Sequence, residues 1–325
     1  MLSGMRDVPE ATRASEAGEG HTAYRDLPVL GTENLRHAWD QFEVGDTLGS
    51  LNRISPERVL EAIRSVKGGD VISLDLPIGS IDPPLFDRPP VKHTIVQTGR
   101  NFFEDKLDDF YLQASSQWDG FGHIRYREHG FWQGRLEEPR PGGELGIDAW
   151  AEKGVVGHGV LLDVSAYRIA VGRPIRHGSN EPVTPQDLSE TAAHFGIVIA
   201  PGDILCVRTG WITWYRQLDQ AGREGLQSGV TSPGLIGTDE MAALLWDWQI
   251  AALTADNPAI EPAPGDSYLH RRLIPLLGMA IGELFDLDAL AEASAGDGRY
   301  DFLFMSAPLR LAGGLGSPAN ALALR

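Results

Sequence analysis

The segment Gln113-Ala114-Ser115-Ser116-Gln117-Trp118-Asp119-Gly120-Phe121-Gly122-His123 sets two carboxamides, a carboxylate and an imidazole at offsets of 0, 4, 6 and 10. Far downstream, His270 and Glu283 form a second polar pair inside the apolar run LHRRLIPLLGMAIGELFDL. An acid in such a run is seldom buried unless it is paired or holds a metal. Together these side chains offer the nitrogen and oxygen ligands that suit a hard or borderline divalent cation, with one imidazole left for proton transfer. A divalent metal lowers the pKa of water from about 15.7 to about 7. An unligated imidazole, with a pKa near about 6.5, suits the proton transfer that follows. Asp119 is thus a candidate ligand and His123 a candidate general base; each amide oxygen of Gln113 and Gln117 is a candidate to bind metal or to orient water. The plainer alternatives are a turn aspartate, a packed histidine and helix-surface glutamines.

Other positions carry weaker signals. Asp256, Asn257 and Glu261 cluster after an apolar strand, as pocket-lining or as turn residues. Arg208 has the bidentate fork that grips a carboxylate, whether of substrate or of one of the chain's many acids. Neither GxGxxG before a helix, nor Walker A, GxSxG or HExxH is found, so dinucleotide, P-loop and serine-elbow chemistries lack support. Cys206 is the single cysteine, which excludes an intrachain disulfide and thiolate zinc sites; in Asp-Ile-Leu-Cys-Val-Arg-Thr it reads as a buried structural thiol.

The elements that must position these residues belong to an ordinary globular chain of 325 residues, 42% apolar and 22% charged, long enough to bury a sizeable core. A net charge of −17 argues against nucleic-acid binding and against anionic membrane surfaces. No stretch reaches transmembrane length and no apolar signal region opens the chain, so the expected location is cytoplasmic. Residues 1–25 read as a mobile tail and 26–325 as one domain. Ser55-Pro56-Glu57 opens a helix whose apolar positions are Val59, Ala62, Ile63 and Val66; Gly68-Gly69 ends it. Strands are expected at 71–76, 92–97, 159–164, 202–209, 250–254 and 301–305, with Glu283 on another. Helices are expected at 184–194 and 238–248, and a helix over 105–113 leads into the Gln/Asp/His segment. Residues 313–318 read as a terminal loop. Strands and helices alternate without a regular βαβ period, which predicts a mixed sheet.

These residues resemble the cyclase superfamily that includes kynurenine formamidase and isatin hydrolase. That family carries His-x-Gly-Thr-His-x-Asp-x-Pro-x-His; with its Asp on Asp119, its last His falls on His123 and its first two on Gln113 and Gln117. A distant His and Glu complete the family's metal site, and His270 and Glu283 match them in order and surroundings. Asp46-Thr47-Leu48-Gly49-Ser50-Leu51-Asn52, Arg208-Thr209-Gly210-Trp211 and Gly313-Gly314-Leu315-Gly316-Ser317-Pro318 also look like members of this group. The Gln-x-x-x-Gln-x-Asp-x-x-x-His form is similar to a branch containing trans-dienelactone hydrolase, a zinc-dependent lactone-opening enzyme. The resemblance implies an α/β, swivelling β/β/α fold with mixed sheets and flanking helices, assembled as a homodimer or homotetramer. It implies one metal, zinc first and manganese second, held by Asp119, His270, Glu283 and Gln117. It also implies a small-molecule substrate: a cyclic ester, enol lactone or amide opened by water, with His123 as base and Gln113 orienting the water. Among the residues read above and the neighbouring aromatics, Arg208, Asp256 and Trp118 are the candidates for substrate contact, with core packing the alternative for Trp118. Two rival expectations are a cyclase or dehydratase using the same residues, and a metal-free binding protein on the same fold.

Overall fold

A computed structural model of the chain describes residues 21–31 and 35–325. A nine-stranded mixed sheet dominates it. Its strands, with an outlying hairpin, are β1 (Val71–Ser73), β2 (Lys92–Gly99), β3 (Phe102–Asp108), β4 (Gln117–Asp119), β5 (Val155–Asp163), β6 (Ile204–Arg208), β7 (Ala252–Ala255), β8 (Ala280–Glu283), β9 (Asp301–Ser306), β10 (Gly316–Pro318) and β11 (Ala321–Leu324). The order across the sheet is β10-β4-β8-β7-β6-β5-β9-β11-β1, and β2 and β3 pair only with each other. The helices are α1 (Pro56–Ser65), α2 (Asp148–Lys153), α3 (Val164–Ala170), α4 (Pro185–Phe195), α5 (Trp211–Gln217), α6 (Gln220–Leu226), α7 (Asp239–Asp247), α8 (His270–Leu273) and α9 (Asp288–Asp297).

The middle strands β5, β6, β7 and β8 run parallel. Parallel strands are covered on both faces, so their sequences are nearly unbroken apolar runs. Ile204-Leu205-Cys206-Val207 and Ala252-Leu253-Thr254-Ala255 are buried throughout. Cys206 lies fully buried there, and burial pushes its thiol up to about 12, which removes it from nucleophilic chemistry. The antiparallel strands β4 and β10 extend one side of this block, and β9, β11 and β1 the other.

Helix starts follow their caps. The Ser55 hydroxyl accepts from the Arg58 N–H ahead of Pro56. Thr184 and Asp187 form a reciprocal capping box on α4. On α1 only Ala62 is buried and Ile63 is exposed, so the apolar stripe is narrower than its spacing suggests.

Three expectations are corrected. Residues 105–113 form no helix: 102–108 is a strand, because β2 supplies its main-chain partners from Lys92 to Gly99. Residues 313–318 are not all loop, since 316–318 pairs with β4. Of the expected tail, residues 1–20 lie outside the described residues, whereas 21–24 are packed and Arg25 is exposed. The Trp246 indole donates to the Thr22 carbonyl at 2.9 Å and the Tyr24 N–H to Asp247 at 2.7 Å. Among the described residues no helix is long and apolar enough to cross a membrane.

Candidate metal centre

Strand β4 is three residues long and hydrogen-bonded on both sides. Successive side chains on a strand point to opposite faces. Gln117 and Asp119 therefore share one face and Trp118 takes the other. The register sets Gln117 opposite Glu283, the last residue of β8. The Gln117 carboxamide donates to Glu283 Oε2 at 2.7 Å. His270 opens α8, and its Nε2 lies 2.9 Å from Glu283 Oε1 and 4.0 Å from Asp119 Oδ2. Ligand atoms of Asp119, His270 and Glu283 all fall within 4.8 Å of one another, and all three residues are buried. The group sits where the parallel strands β7 and β8 end, the usual crevice for ligands in open α/β sheets.

Glu261 holds the imidazole in place. Its carboxylate accepts the N–H groups of Leu269 and His270 at 2.8 and 3.0 Å, and its Oε1 lies 2.8 Å from His270 Nδ1. With Nδ1 engaged, Nε2 is the atom turned toward Asp119 and Glu283, the outer-shell arrangement typical of a ligating histidine. Asn257 supports this loop by donating to the Pro233 and Glu261 carbonyls.

The electrostatics of this cluster are those of a site short of positive charge. Burial opposes a charge on His270, yet the hydrogen bonds and charges of Glu261 and Glu283 push its pKa up to about 10. Burial, followed by the Asp119 carboxylate, raises Glu283. Glu261 is also buried, but the His270 contacts and two backbone donors outweigh that and lower it. Two buried oxygens on residues of the cluster, Asp119 Oδ1 and Gln117 Oε1, have no hydrogen-bond partner. A buried acceptor left unpaired is costly. One imidazole nitrogen, two carboxylates and an unpartnered amide oxygen fit a small divalent cation.

His123 stands beside the group, not within it. Its Nε2 is 3.9 Å from Asp119 Oδ1, and its side chain is partly open to solvent. A cavity of about 320 Å³ opens onto His270 and Glu261, with Phe86, Val230, Pro262 and Pro264 among its walls. The loops carrying these residues hold several non-glycine residues at positive φ, Phe86 (60°), Asp87 (54°), Ile260 (52°) and Ser267 (55°), and Leu284 (55°), next to Glu283, is another. Such strain persists where surrounding structure enforces it, and it concentrates at functional sites.

Arg88, which the sequence reading passed over, lies next to this cavity. Its guanidinium sits 5.1 Å from the centre of the Phe86 ring and donates to the Gln113 carbonyl at 2.5 Å. Burial lowers its pKa, while Glu283 and Asp119 act to raise it, so its charge is felt at the cluster. Among the described residues it has no carboxylate within ion-pair distance. The Pro-rich run around it hides the signal, since an isolated arginine in a loop has no periodicity to mark it.

The structure gives other expected site residues different work. Trp118 is fully buried on the opposite face of β4, edge-on to Trp150, Phe285 and Phe304, with its indole on Ser306. It belongs to the core, as do Phe121, Phe131 and Trp132. Arg208 is committed to Asp163 at 3.1 Å and Asp288 at 2.9 Å, and it also donates to Thr213. Asp256 accepts from the Thr209 N–H and hydroxyl and the Gly210 N–H, each at 2.7 Å. It fixes the turn from β6 into α5 and is fully buried. Gln113 lies in the turn before β4, outside the strand alternation that aligns Gln117 with Asp119. Its amide nitrogen is 2.6 Å from where a Cβ on Gly316 would stand, and it makes no hydrogen bond to Asp119, His270 or Glu283. The Asp46–Asn52 segment is scaffold. Asp46 caps the turn through the Leu48 and Gly49 N–H groups, and Ser50 bridges the Ala251 carbonyl and the Ala280 N–H at the starts of β7 and β8. Gly49 (φ +51°) is required there, because a Cβ would strike the Gly278 carbonyl.

The family model Cyclase matches residues 72–262, more than half of the chain. That span includes Asp119, His123 and Glu261 and stops short of His270 and Glu283. A crystal structure described as a novel cyclase is 31% identical, with a TM-score of 0.81 over 89% of this chain and 99% of that one. Isatin hydrolase A from Ralstonia solanacearum is 17% identical, with a TM-score of 0.57 over 78% of this chain and 91% of that one. Isatin hydrolase A from Labrenzia aggregata, bound to benzyl benzoate, is 17% identical, with a TM-score of 0.56 over 82% and 97%. These last two likenesses are of fold. No curated protein matches the chain.

Proposed function

Because this chain belongs to the cyclase family, whose mixed α/β fold it shares, we propose that it is a metal-dependent hydrolase that opens a small cyclic ester, enol lactone or amide. One observation carries the reading: the buried Asp119–His270–Glu283 group, in which one oxygen of Asp119 and the amide oxygen of the adjoining Gln117 are buried without a hydrogen-bond partner. The likeness to isatin hydrolase A adds only that the fold is shared; the chemistry rests on the site.

Asp119, His270 and Glu283 would hold the cation, with Gln117 offering a fourth, neutral oxygen and Glu261 orienting His270. A bound divalent cation would supply Lewis acidity for the scissile carbonyl and make water acidic enough to lose a proton near neutral pH. His123 takes that proton as the water oxygen bonds to the carbonyl carbon. It returns the proton to the ring oxygen or nitrogen as the old bond to carbon breaks. Water is consumed and one open-chain acid leaves. Arg88 offsets the negative charge that develops on the carbonyl oxygen as the water oxygen bonds to carbon, and then that of the product carboxylate. Gln113, whose carbonyl accepts from Arg88, positions the Arg88 loop. Zinc is the first reading for the cation; the two carboxylates against one imidazole favour manganese as the second.

The test is elemental analysis of the purified protein combined with titrimetric assay on a panel of lactones and mass analysis of the products from lactones and cyclic amides. The expected result is about one zinc or manganese per chain, one equivalent of acid released per lactone consumed, and one water gained in mass by every product. Turnover without the gain of a water would point to a cyclase or dehydratase. A protein that neither contains nor takes up metal would overturn the hydrolase reading in favour of a binding protein.

Arg88→Ala is expected to lower kcat about tenfold or more with KM little changed, the scale of a charge-assisted hydrogen bond made only as charge develops. An unchanged kcat would remove Arg88 from that role.

A further inference from the structure

The register of β4 against β8 stops at Gln117 and Glu283. One step further, Ser116 would stand opposite Leu284 if the strand went on. It does not go on, because Leu284 takes a φ of +55°, a left-handed conformation that a leucine seldom enters. Its neighbours are tied down. The Leu284 N–H donates to the Asn257 carbonyl at 3.1 Å, the Phe285 N–H to the Ala255 carbonyl at 3.0 Å and the Asp286 N–H to the Leu74 carbonyl at 2.8 Å. The Leu284 carbonyl is taken by a side chain. The Ser116 hydroxyl donates to it at 2.5 Å and accepts from the Leu76 N–H at 2.8 Å. Ser116, Leu284 and Leu76 are all buried, so neither bond has solvent to fall back on.

We infer that Ser116 is a positioning residue for the metal centre: its hydroxyl holds the Leu284 turn, and that turn aims the Glu283 carboxylate at His270 and Asp119. The role toward a metal rests on the hydrolase reading above; the hold on Glu283 does not. A left-handed leucine persists only where its surroundings enforce it. Among the described residues, Ser116 supplies the one side-chain hydrogen bond that Leu284 receives. Without it, Leu284 relaxes toward ordinary negative φ. Phe285 and Asp286 stay tied to Ala255 and Leu74, so the adjustment falls on the end of β8, where Glu283 stands. There is little room to absorb it. A Cβ on Gly282 would already lie 2.6 Å from the Phe285 ring and 2.9 Å from the Gln117 carbonyl. Glu283 is engaged on both oxygens, by Gln117 at 2.7 Å and by His270 Nε2 at 2.9 Å, so a small rotation disturbs both. Ser116 also precedes Gln117 and Asp119 directly, so one hydroxyl joins the segment of β4 that carries them to the segment that carries Glu283.

Ser50 provides the control, because its hydroxyl makes the same kind of buried bridge at the opposite ends of β7 and β8, donating to the Ala251 carbonyl at 2.7 Å and accepting from the Ala280 N–H at 3.2 Å. Ser116→Ala, Ser116→Thr and Ser50→Ala are compared with the wild-type protein by thermal unfolding, by calorimetric titration with zinc and with manganese, and by hydrogen exchange on the metal-free protein. Both alanine variants should unfold at lower temperature, since each leaves a buried donor and acceptor unpaired. Only Ser116→Ala should also lose metal affinity, by about 10- to 100-fold, the scale of an outer-shell change. Only it should speed exchange of the Leu76 and Leu284 amides, by about tenfold or more. Ser116→Thr, which keeps the hydroxyl, should restore both. Wild-type affinity in Ser116→Ala, or an equal loss in Ser50→Ala, would overturn the inference. A wild-type protein that takes up neither metal would defeat the hydrolase reading alone; exchange on the metal-free protein then decides for Ser116, and an unchanged Leu284 amide in Ser116→Ala would overturn its hold on Glu283. Should Ser116→Ala fail to fold, Ser116→Cys, a weaker donor in nearly the same space, takes its place with the same expected direction, and wild-type affinity and exchange in that variant would overturn the inference.

Discussion

His123→Ala is expected to lower kcat by about 10²- to 10⁴-fold, the range that a positioned acid–base group supplies, while metal content and KM stay near wild type. The geometry separates these effects. His123 Nε2 is 3.9 Å from Asp119 Oδ1 and makes no contact with His270 or Glu283, so its loss leaves the ligand set whole. The side chain lies partly in solvent, and the space left by alanine is open to added imidazole. Partial rescue of kcat by imidazole is the sharper readout, because a merely structural histidine would show none. A variant with full activity would remove the proton-transfer role from His123.

Asp119→Asn and Glu283→Gln should each lose the metal. Both substitutions keep side-chain volume and remove one of the two carboxylates in the buried group, and affinity should fall by more than the 10- to 100-fold typical of an outer-shell change. The loss can be read without an activity assay. Metal at about 100 times its dissociation constant should stabilise the wild-type protein by about 2.7 kcal/mol and the variants hardly at all. Full metal occupancy in either variant would exclude that residue from the ligand set.

The pH dependence has a defined sign. Without metal, His270 is protonated below about 10, so at neutral pH metal must displace that proton and uptake weakens as pH falls. In the metal-free protein the raised His270 pKa is a stabilising contribution, complete below the ordinary imidazole value of about 6.5 and lost as pH rises through about 10. Calorimetric titration of metal in buffers of different ionisation enthalpy would count the proton released.

Much of the site could be read from residue types alone. Asp119, His123, His270 and Glu283 stand out because an acid or imidazole inside an apolar run needs a partner, and their spacing resembles a known family's. The apolar parallel strands and the capped helices at 55 and 184 were equally legible, since caps and unbroken apolar runs are local signals. The β2–β3 hairpin was half legible: Phe102–Asp108 mixes charged and aromatic residues without alternation, and its partner strand decides its conformation.

What the sequence determined by itself was therefore the inventory: which side chains had to find partners, the family they resemble, and the alternation of elements that builds a mixed sheet. What only the tertiary structure decided was which side chains meet. Trp118 neighbours two site residues in the chain yet faces the core, because a strand turns alternate side chains apart. Arg208 and Asp256 are spent on Asp163, Asp288 and the Thr209 turn. Glu261 and Arg88 join the site from separate loops, Glu261 through His270 Nδ1 and Arg88 through the Gln113 carbonyl. Spacing along a chain carries local periodicity; it carries no record of which distant segment a sheet register or a strained loop will bring within 3 Å.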